Sequence, residues 1–228
     1  MGRRTEVRAA TCANSNRRTL GRFLIPRFRI SRRSAGEVRN HDECVRMDTY
    51  RCILTKRDIR SFTDKPIAEE VLHKILNGGR MSGSSRNRQP WRFVVVRDRE
   101  RLTSLARFGR FAQHVATAAA AVAIVIDDAG YAFDAGRCVQ NMMLSGWNFG
   151  VASCPATPHQ QDEAKRFLEI PLGKTLPIIL SFGYARASGR GPIERAALRI
   201  LAGRGRQPLD SLVFWERYGN AKPLDHRV

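Results

Sequence analysis

The stretch from Gly78 to Val96, GGRMSGSSRNRQPWRFVVV, most constrains what this chain can fold into. Helix-period residues lead up to Gly78-Gly79, a pair able to take the left-handed backbone that stops a helix. A Ser/Gly/Asn loop follows, then the apolar run Phe93 to Val96. The order predicts helix, polar loop, buried strand. A loop of this kind carries free backbone N–H groups and small hydroxyls beside a sheet edge, where flat polar ligands tend to be held. On composition alone it reads equally as a plain surface connection.

The flanking periodicities predict an α+β chain. From Met47, the apolar Tyr50, Ile53 and Leu54 recur at helical spacing, and Thr63 to Pro66 is a break. Ala68 to Leu76 reads as an amphipathic helix, with Glu69 and Glu70 in the first turn and Val71, Leu72, Ile75 and Leu76 on one face. Strands are predicted over Arg92–Val96 and Ala120–Ile126, separated by a polar helix over Arg99–Arg107. Phe133–Phe149 is the longest helix, with Ala135, Cys138, Val139, Met142, Met143, Gly146 and Phe149 on one stripe and Asp134, Arg137, Gln140 and Asn141 off it. Gly150–Cys154 is a short strand that Pro155 to Pro158 should end. A helix over Asp162–Leu168, a strand over Leu176–Tyr184 buried on both faces, a short helix over Ile193–Leu201 and an amphipathic end helix over Pro208–Tyr218 complete the reading.

Residues 47–228 account for one domain. Residues 1–46 hold 12 Arg, no Lys and 4 acids without any sustained period, and read as a disordered basic extension, or as a segment upstream of a start at Met47. The net charge of +19 raises the question of nucleic acid, but the remaining charge is spread along the chain and forms no basic helix or arginine-aromatic strip. A basic nucleic-acid-binding protein is therefore the rival of another class. The longest apolar run, Val115 to Ile126, falls short of the ~18 residues a membrane span needs. The five cysteines are odd in number, scattered and never C-x-x-C, which argues against a disulfide framework or zinc site and for a reducing cytoplasm. There is no P-loop, G-x-S-x-G or H-E-x-x-H, and His41, His73, His114, His159 and His226 stand apart from one another, so none is assigned a metal or triad role.

Positive charge recurs at loop boundaries: Lys56, Arg57 and Arg60 early, Arg204 and Arg206 late. Taken singly, each is a solvated face. Two such clusters converging in space would hold a terminal phosphate, each charge-assisted contact contributing about 1.5–3 kcal/mol.

Ser84, Asn87, Gln89, Pro90 and Trp91 stand as S-x-x-N-x-Q-P-W before F-V-V-V, and this resembles the hallmark loop of the FMN-dependent nitroreductase family. Lys56-Arg57-Asp58-Ile59-Arg60-Ser61-Phe62 is similar to the family's R-R-S-x-R-x-F opening, whose basic side chains grip the flavin phosphate and ribityl chain. Arg204-Gly205-Arg206-Gln207-Pro208-Leu209 resembles its late basic motif, and Gly150 to Pro158 the segment lying along the flavin ring, with Pro155, Ala156 and Thr157 there and the N–H at Thr157 facing flavin N5. Asp58 in place of Ser and Gly83 in place of Pro depart from the pattern. The resemblance implies a nitroreductase-like mixed sheet flanked by helices, and a homodimer with FMN at the subunit interface. It further implies NADH or NADPH as donor, and nitroaromatics or quinones as small-molecule acceptors. No side-chain general base is expected, because the flavin does the redox chemistry. A flavin-consuming 5,6-dimethylbenzimidazole synthase of the same fold is the nearest rival: it shares an Asp at the position of Asp58 but usually carries Met at that of Asn87 and Ser near that of Pro155.

Overall fold

The computed structural model describes residues 48–186 and 206–221. Its sheet is organised around Ala120–Ile126, a strand with all seven residues buried. A strand with no polar face has to be central and covered on both sides. In chain order the strands are β1 (Trp91–Val96), β2 (Ala120–Ile126), β3 (Ala152–Ala156) and β4 (Thr175–Gly183), arranged β1-β2-β4-β3 with every neighbour antiparallel. The expected mixed sheet is thus an antiparallel one, and the parallel pairing among the described residues is a single bridge, Asp58 to Ser153.

The described residues form six α-helices: α1 (Thr49–Thr55), α2 (Glu69–Arg80), α3 (Arg99–Leu105), α4 (Gln113–Ala116), α5 (Ala132–Asn148) and α6 (Gln161–Phe167). Alternation along β2 decides which face each meets. Ala120, Val122, Ile124 and Ile126 pack with Leu72 and Ile75 of α2 and Cys138 and Met142 of α5. Ala121, Ala123 and Val125 pack on the other side with Leu102 and Leu105 of α3, Val115 of α4 and Ala164 of α6. No helix of the described residues is long and apolar enough to cross a membrane.

Several expectations are corrected by packing. Helix α2 does not stop at Gly78-Gly79 but runs through both to Arg80. A Cβ on Gly78 would lie 3.0 Å from Ser145 Cβ, and one on Gly79 3.1 Å from Cys138 Sγ, so the glycines serve a close α2–α5 crossing. Strand β1 is an edge, and Arg92 to Val95 are exposed or half-buried. Pro155 and Ala156 continue β3 opposite Leu180 and Ile179 instead of ending it, which an edge strand permits because a proline's missing N–H can face away from the ladder. Of the apolar positions in α1, Cys52 is buried while Tyr50, Ile53 and Leu54 are exposed. The end helix is absent: Leu209–Ser211 forms one 3-10 turn, and Leu209, Leu212, Phe214, Trp215 and Tyr218 remain exposed. An amphipathic pattern with nothing to pack on does not hold a helix of that length. The helix expected over Ile193–Leu201 lies outside the described residues.

Candidate functional site

The segment Lys56 to Phe62 runs extended beside the open edge of β3. Ile59 N–H donates to the Ser153 carbonyl at 3.0 Å, Phe62 is bridged to Ala185, and Thr63 N–H donates to the Tyr184 carbonyl at 2.8 Å. Two stretches with site residues, the basic opening and strand β3 with its Pro155 and Ala156, are thereby brought together in one chain. In extended backbone, side chains alternate, so Lys56, Asp58 and Arg60 share a side that Arg57 does not. The Lys56 ammonium is bonded to the Asp58 carboxylate and lies 3.9 Å from Met143 Sδ. Asp58 is therefore neutralised by its neighbour rather than aimed at an approaching anion. Arg57 turns back to donate to the Leu54 and Lys56 carbonyls, both at 2.8 Å, and satisfies the end of α1.

Arg60, Arg110 and Arg186 stand around a cavity of about 560 Å³ whose wall includes Phe111, Gln113 and His114. This is within the size range of small-molecule sites. Among the described residues no carboxylate lines it. His114, on α4, is buried; its Nδ1 lies 2.8 Å from Ser181 Oγ, and that hydroxyl donates to the Cys154 carbonyl at 3.1 Å. The serine's one proton is committed, so neutral His114 donates through Nδ1–H and leaves Nε2 bare. Burial, reinforced by the Arg60 guanidinium, holds the His114 pKa down at about 4. Burial pushes the Cys154 thiol upward, with Arg60 opposing. His114 Nε2 and Ser153 Oγ are both buried without a hydrogen-bond partner among the described residues. Buried polar atoms left in that state call for a ligand or water.

The Ser84–Asn87 loop is built at the other end of the sheet. Arg86, Asn87 and Gln89 have φ of 52°, 54° and 49°, left-handed positions without glycine that are interrupted by right-handed Arg88 at φ −68°. Ser84 Oγ closes the loop by accepting from Gln89 N–H at 2.9 Å. Ser85 N–H donates to Asp134 Oδ2 at 3.3 Å, Asn141 donates to Ser82 Oγ at 2.8 Å, and Arg88 donates to the Tyr131 hydroxyl at 2.7 Å, so the loop is moored to α5 and the turn before it. Asp134 is off the helix stripe yet buried, and this contact is the reason. The loop leads into Trp91, which pairs with Ile126, whereas Thr117 on the cavity wall precedes Ala120. The length of β2, about 20 Å at ~3.3 Å per residue, separates the two.

Arg206 is exposed and makes no hydrogen bond or ion pair with Lys56 to Arg60, while Arg204 lies outside the described residues. Arg110, Phe111, Gln113, His114 and Arg186 were not marked by the sequence pattern. The available signal was local: a polar Arg-Phe-Ala-Gln-His turn set directly before the most apolar strand of the chain. Its position is fixed by Gly109, where a Cβ would come 3.1 Å from the Thr157 carbonyl, and by Arg110 N–H, which donates to His159 Nδ1 at 3.1 Å.

Comparison with known proteins agrees with this architecture. The sequence pattern of the Nitroreductase family matches residues 53–129 and 109–184. A protein of Archaeoglobus fulgidus, provisionally named NADH dehydrogenase/NAD(P)H nitroreductase, is 30% identical over 156 residues, covering 64% of this chain and 87% of its own. Among solved structures, the NADPH:FMN oxidoreductase of Vibrio harveyi superposes with a TM-score of 0.61 at 22% identity, covering 76% of this chain and 78% of that one. The FMN-dependent nitroreductase of Clostridium difficile R20291 gives 0.57 at 22% identity, covering 62% and 91%. With a family match across more than half its length and a shared fold, the chain belongs to the nitroreductase family.

Proposed function

We propose that this protein is a cytoplasmic, NAD(P)H-dependent FMN oxidoreductase that reduces small electron-poor acceptors such as nitroaromatics and quinones. The observation that carries the reading is a cavity lined by Arg60, Arg110 and Arg186 without a carboxylate among its described lining, reached by the Lys56–Phe62 segment that is bridged to β3 at Ser153, with His114 Nε2 left unpartnered among the described residues. The donor set suits a flat ligand with a polar edge and an anionic tail. Lys56 and Arg60 would hold the phosphate and ribityl chain, with Arg204 and Arg206 closing from the end of the chain. Backbone at Pro155, Ala156 and Thr157 would lie along the ring. When bound, FMN supplies hydride acceptance and release; the protein supplies orientation and a basic edge.

The remaining donors, Ser84 and Asn87, sit about 20 Å away along β2 and cannot share that ligand within one chain. A homodimer resolves this by placing the loop of one copy over the cavity of the other. Exposed Tyr50, Ile53, Leu54 and Phe133 supply apolar surface of the kind such an interface covers. The test is the absorbance spectrum of the purified protein and the cofactor it releases on denaturation. A yellow protein that releases FMN, and that keeps it through many turnovers of NAD(P)H oxidation, supports the reading. A colourless protein that fails to take up FMN overturns it, and stoichiometric flavin destruction in air transfers the assignment to the flavin-consuming synthase.

A further inference from the structure

The cavity's three guanidinium groups are not equally engaged. Arg186 donates through Nε to the Phe62 carbonyl at 3.1 Å and lies 3.9 Å from the exposed Asp64 carboxylate. Arg60 acts electrostatically on the buried Cys154 thiol and on His114. The Arg110 guanidinium has no hydrogen bond or ion pair among the described residues, although its backbone is fixed by the His159 contact and by the packing of Gly109 under the Thr157 carbonyl. A held backbone carrying an unpaired cation at a cavity mouth is a ready anion contact. Beside it, Phe111 is 72% exposed, with its ring edge-on to His159 at 6.4 Å. An exposed aromatic face next to an unpaired guanidinium is suited to a planar ring bearing a negative charge.

We infer that Arg110 and Phe111 form an acceptor subsite selective for anionic aromatics, so that the preferred class of acceptor is an aromatic carboxylate rather than a neutral nitroarene or quinone. This rests on the FMN oxidoreductase reading, which places the Thr157 turn along the flavin ring. Gly109, packed against that turn, puts Arg110 at the reactive edge rather than at the phosphate. Selectivity follows from an asymmetry: a carboxylate gains a charge-assisted contact with the exposed Arg110 guanidinium that a neutral acceptor cannot make.

The probes are 4-nitrobenzoate and its neutral isostere 4-nitrobenzamide, used with the FMN-loaded full chain and the Arg110→Gln variant. Wild type is expected to show a KM at least tenfold lower for the carboxylate at similar kcat. In Arg110→Gln the KM for 4-nitrobenzoate should rise about ten- to a hundredfold, with 4-nitrobenzamide within a factor of about three and FMN content unchanged. Arg110→Lys should recover part of the preference at low salt. Absence of an anion preference in wild type overturns the inference, as does an equal loss for both acceptors in the variant. A variant that loses FMN assigns Arg110 to the cofactor instead, and overturns it too. Failure of the underlying reading is distinguishable, because wild type would then bind no FMN at all.

Discussion

His114 Nδ1 stands 2.8 Å from the Ser181 hydroxyl, which itself donates to the Cys154 carbonyl, so one buried chain joins α4, β4 and β3 beneath the cavity. Protonation of His114 at Nε2 leaves that chain in place but adds a buried charge whose new N–H meets no acceptor among the described residues and which Arg60 disfavours.

The first expected consequence is a pH dependence of stability. The folded pKa of about 4 lies below the unfolded value near 6.5, so in that window the unfolded state binds the extra proton. The stabilisation is fully present above pH ~6.5 and is lost as pH falls towards 4, amounting to roughly 2–3 kcal/mol once solvent at the cavity mouth is allowed for. Other charged groups that bear on His114 are Arg60 and Asp58, the latter paired with Lys56, while Arg110 and Arg186 share the cavity. Urea unfolding of wild type and His114→Gln between pH 4 and 7 checks this, and parallel curves would count against it. Ser181→Ala should cost about 1–3 kcal/mol at neutral pH by leaving the Cys154 carbonyl and His114 Nδ1 unpaired.

Two glycines should respond in opposite directions. A Cβ on Gly183 would stand 2.9 Å from the Phe62 ring, which seals the Lys56–Phe62 segment against β4. Gly183→Ala is expected to destabilise by about 1–3 kcal/mol and to weaken FMN. Gly136, exposed on α5 with nothing within 4 Å of its Cβ position, should gain up to about 1 kcal/mol when replaced by Ala. Thermal unfolding of the two variants gives the comparison.

Arg57 and Arg60 are neighbours in one basic cluster but face opposite sides. Arg60→Ala is expected to weaken FMN binding about ten- to a hundredfold, whereas Arg57→Ala, whose guanidinium caps α1, should change it by less than about threefold. Titration of the apoprotein with FMN measures both, and equal losses would mean that Arg57 rotates to the phosphate.

The separation of the Asn87 loop from the Arg60 cavity makes a mixed dimer informative. In the proposed homodimer, Arg60→Ala and Asn87→Ala should each weaken FMN binding when carried by both subunits. After subunit exchange, the heterodimer should regain one intact site of its two, because both substitutions fall in the other. Titration of the exchanged mixture would show recovery of tight binding. No recovery would place both residues in the same chain's site.

How far these features were legible beforehand depended on whether one sequence pattern had one structural meaning. Ala120–Ile126 did: seven apolar residues ended by Asp127-Asp128 have only a central strand to occupy. The α5 stripe did as well, because Cys138, Met142 and Met143 recur with the helical period. Gly78-Gly79 had two meanings, since the missing side chain that permits a left-handed turn also permits two helices to touch, and the neighbour that decides is α5, more than 50 residues later. Pro208–Tyr218 carried a helical pattern whose partner surface the described residues do not provide. Arg57 and Arg60 were indistinguishable until the extended backbone assigned their sides. Arg110 and His114 belong to no motif, and it is the fold that sets them beside Arg60.

Pro155 in β3 also bears on how the protein behaves in a crowded solution. An exposed sheet edge is a template on which another chain can add a strand, the first step of many aggregates. Because Ser153 turns its carbonyl outward to Ile59, the alternation along β3 puts Pro155 at the next outward position. The template is thus broken one step past the bridge, where a recruited strand would need a donor that proline lacks. An open edge beside a ligand cavity would ordinarily invite misassembly; here the residue that keeps it open also makes it a poor start for a fibril.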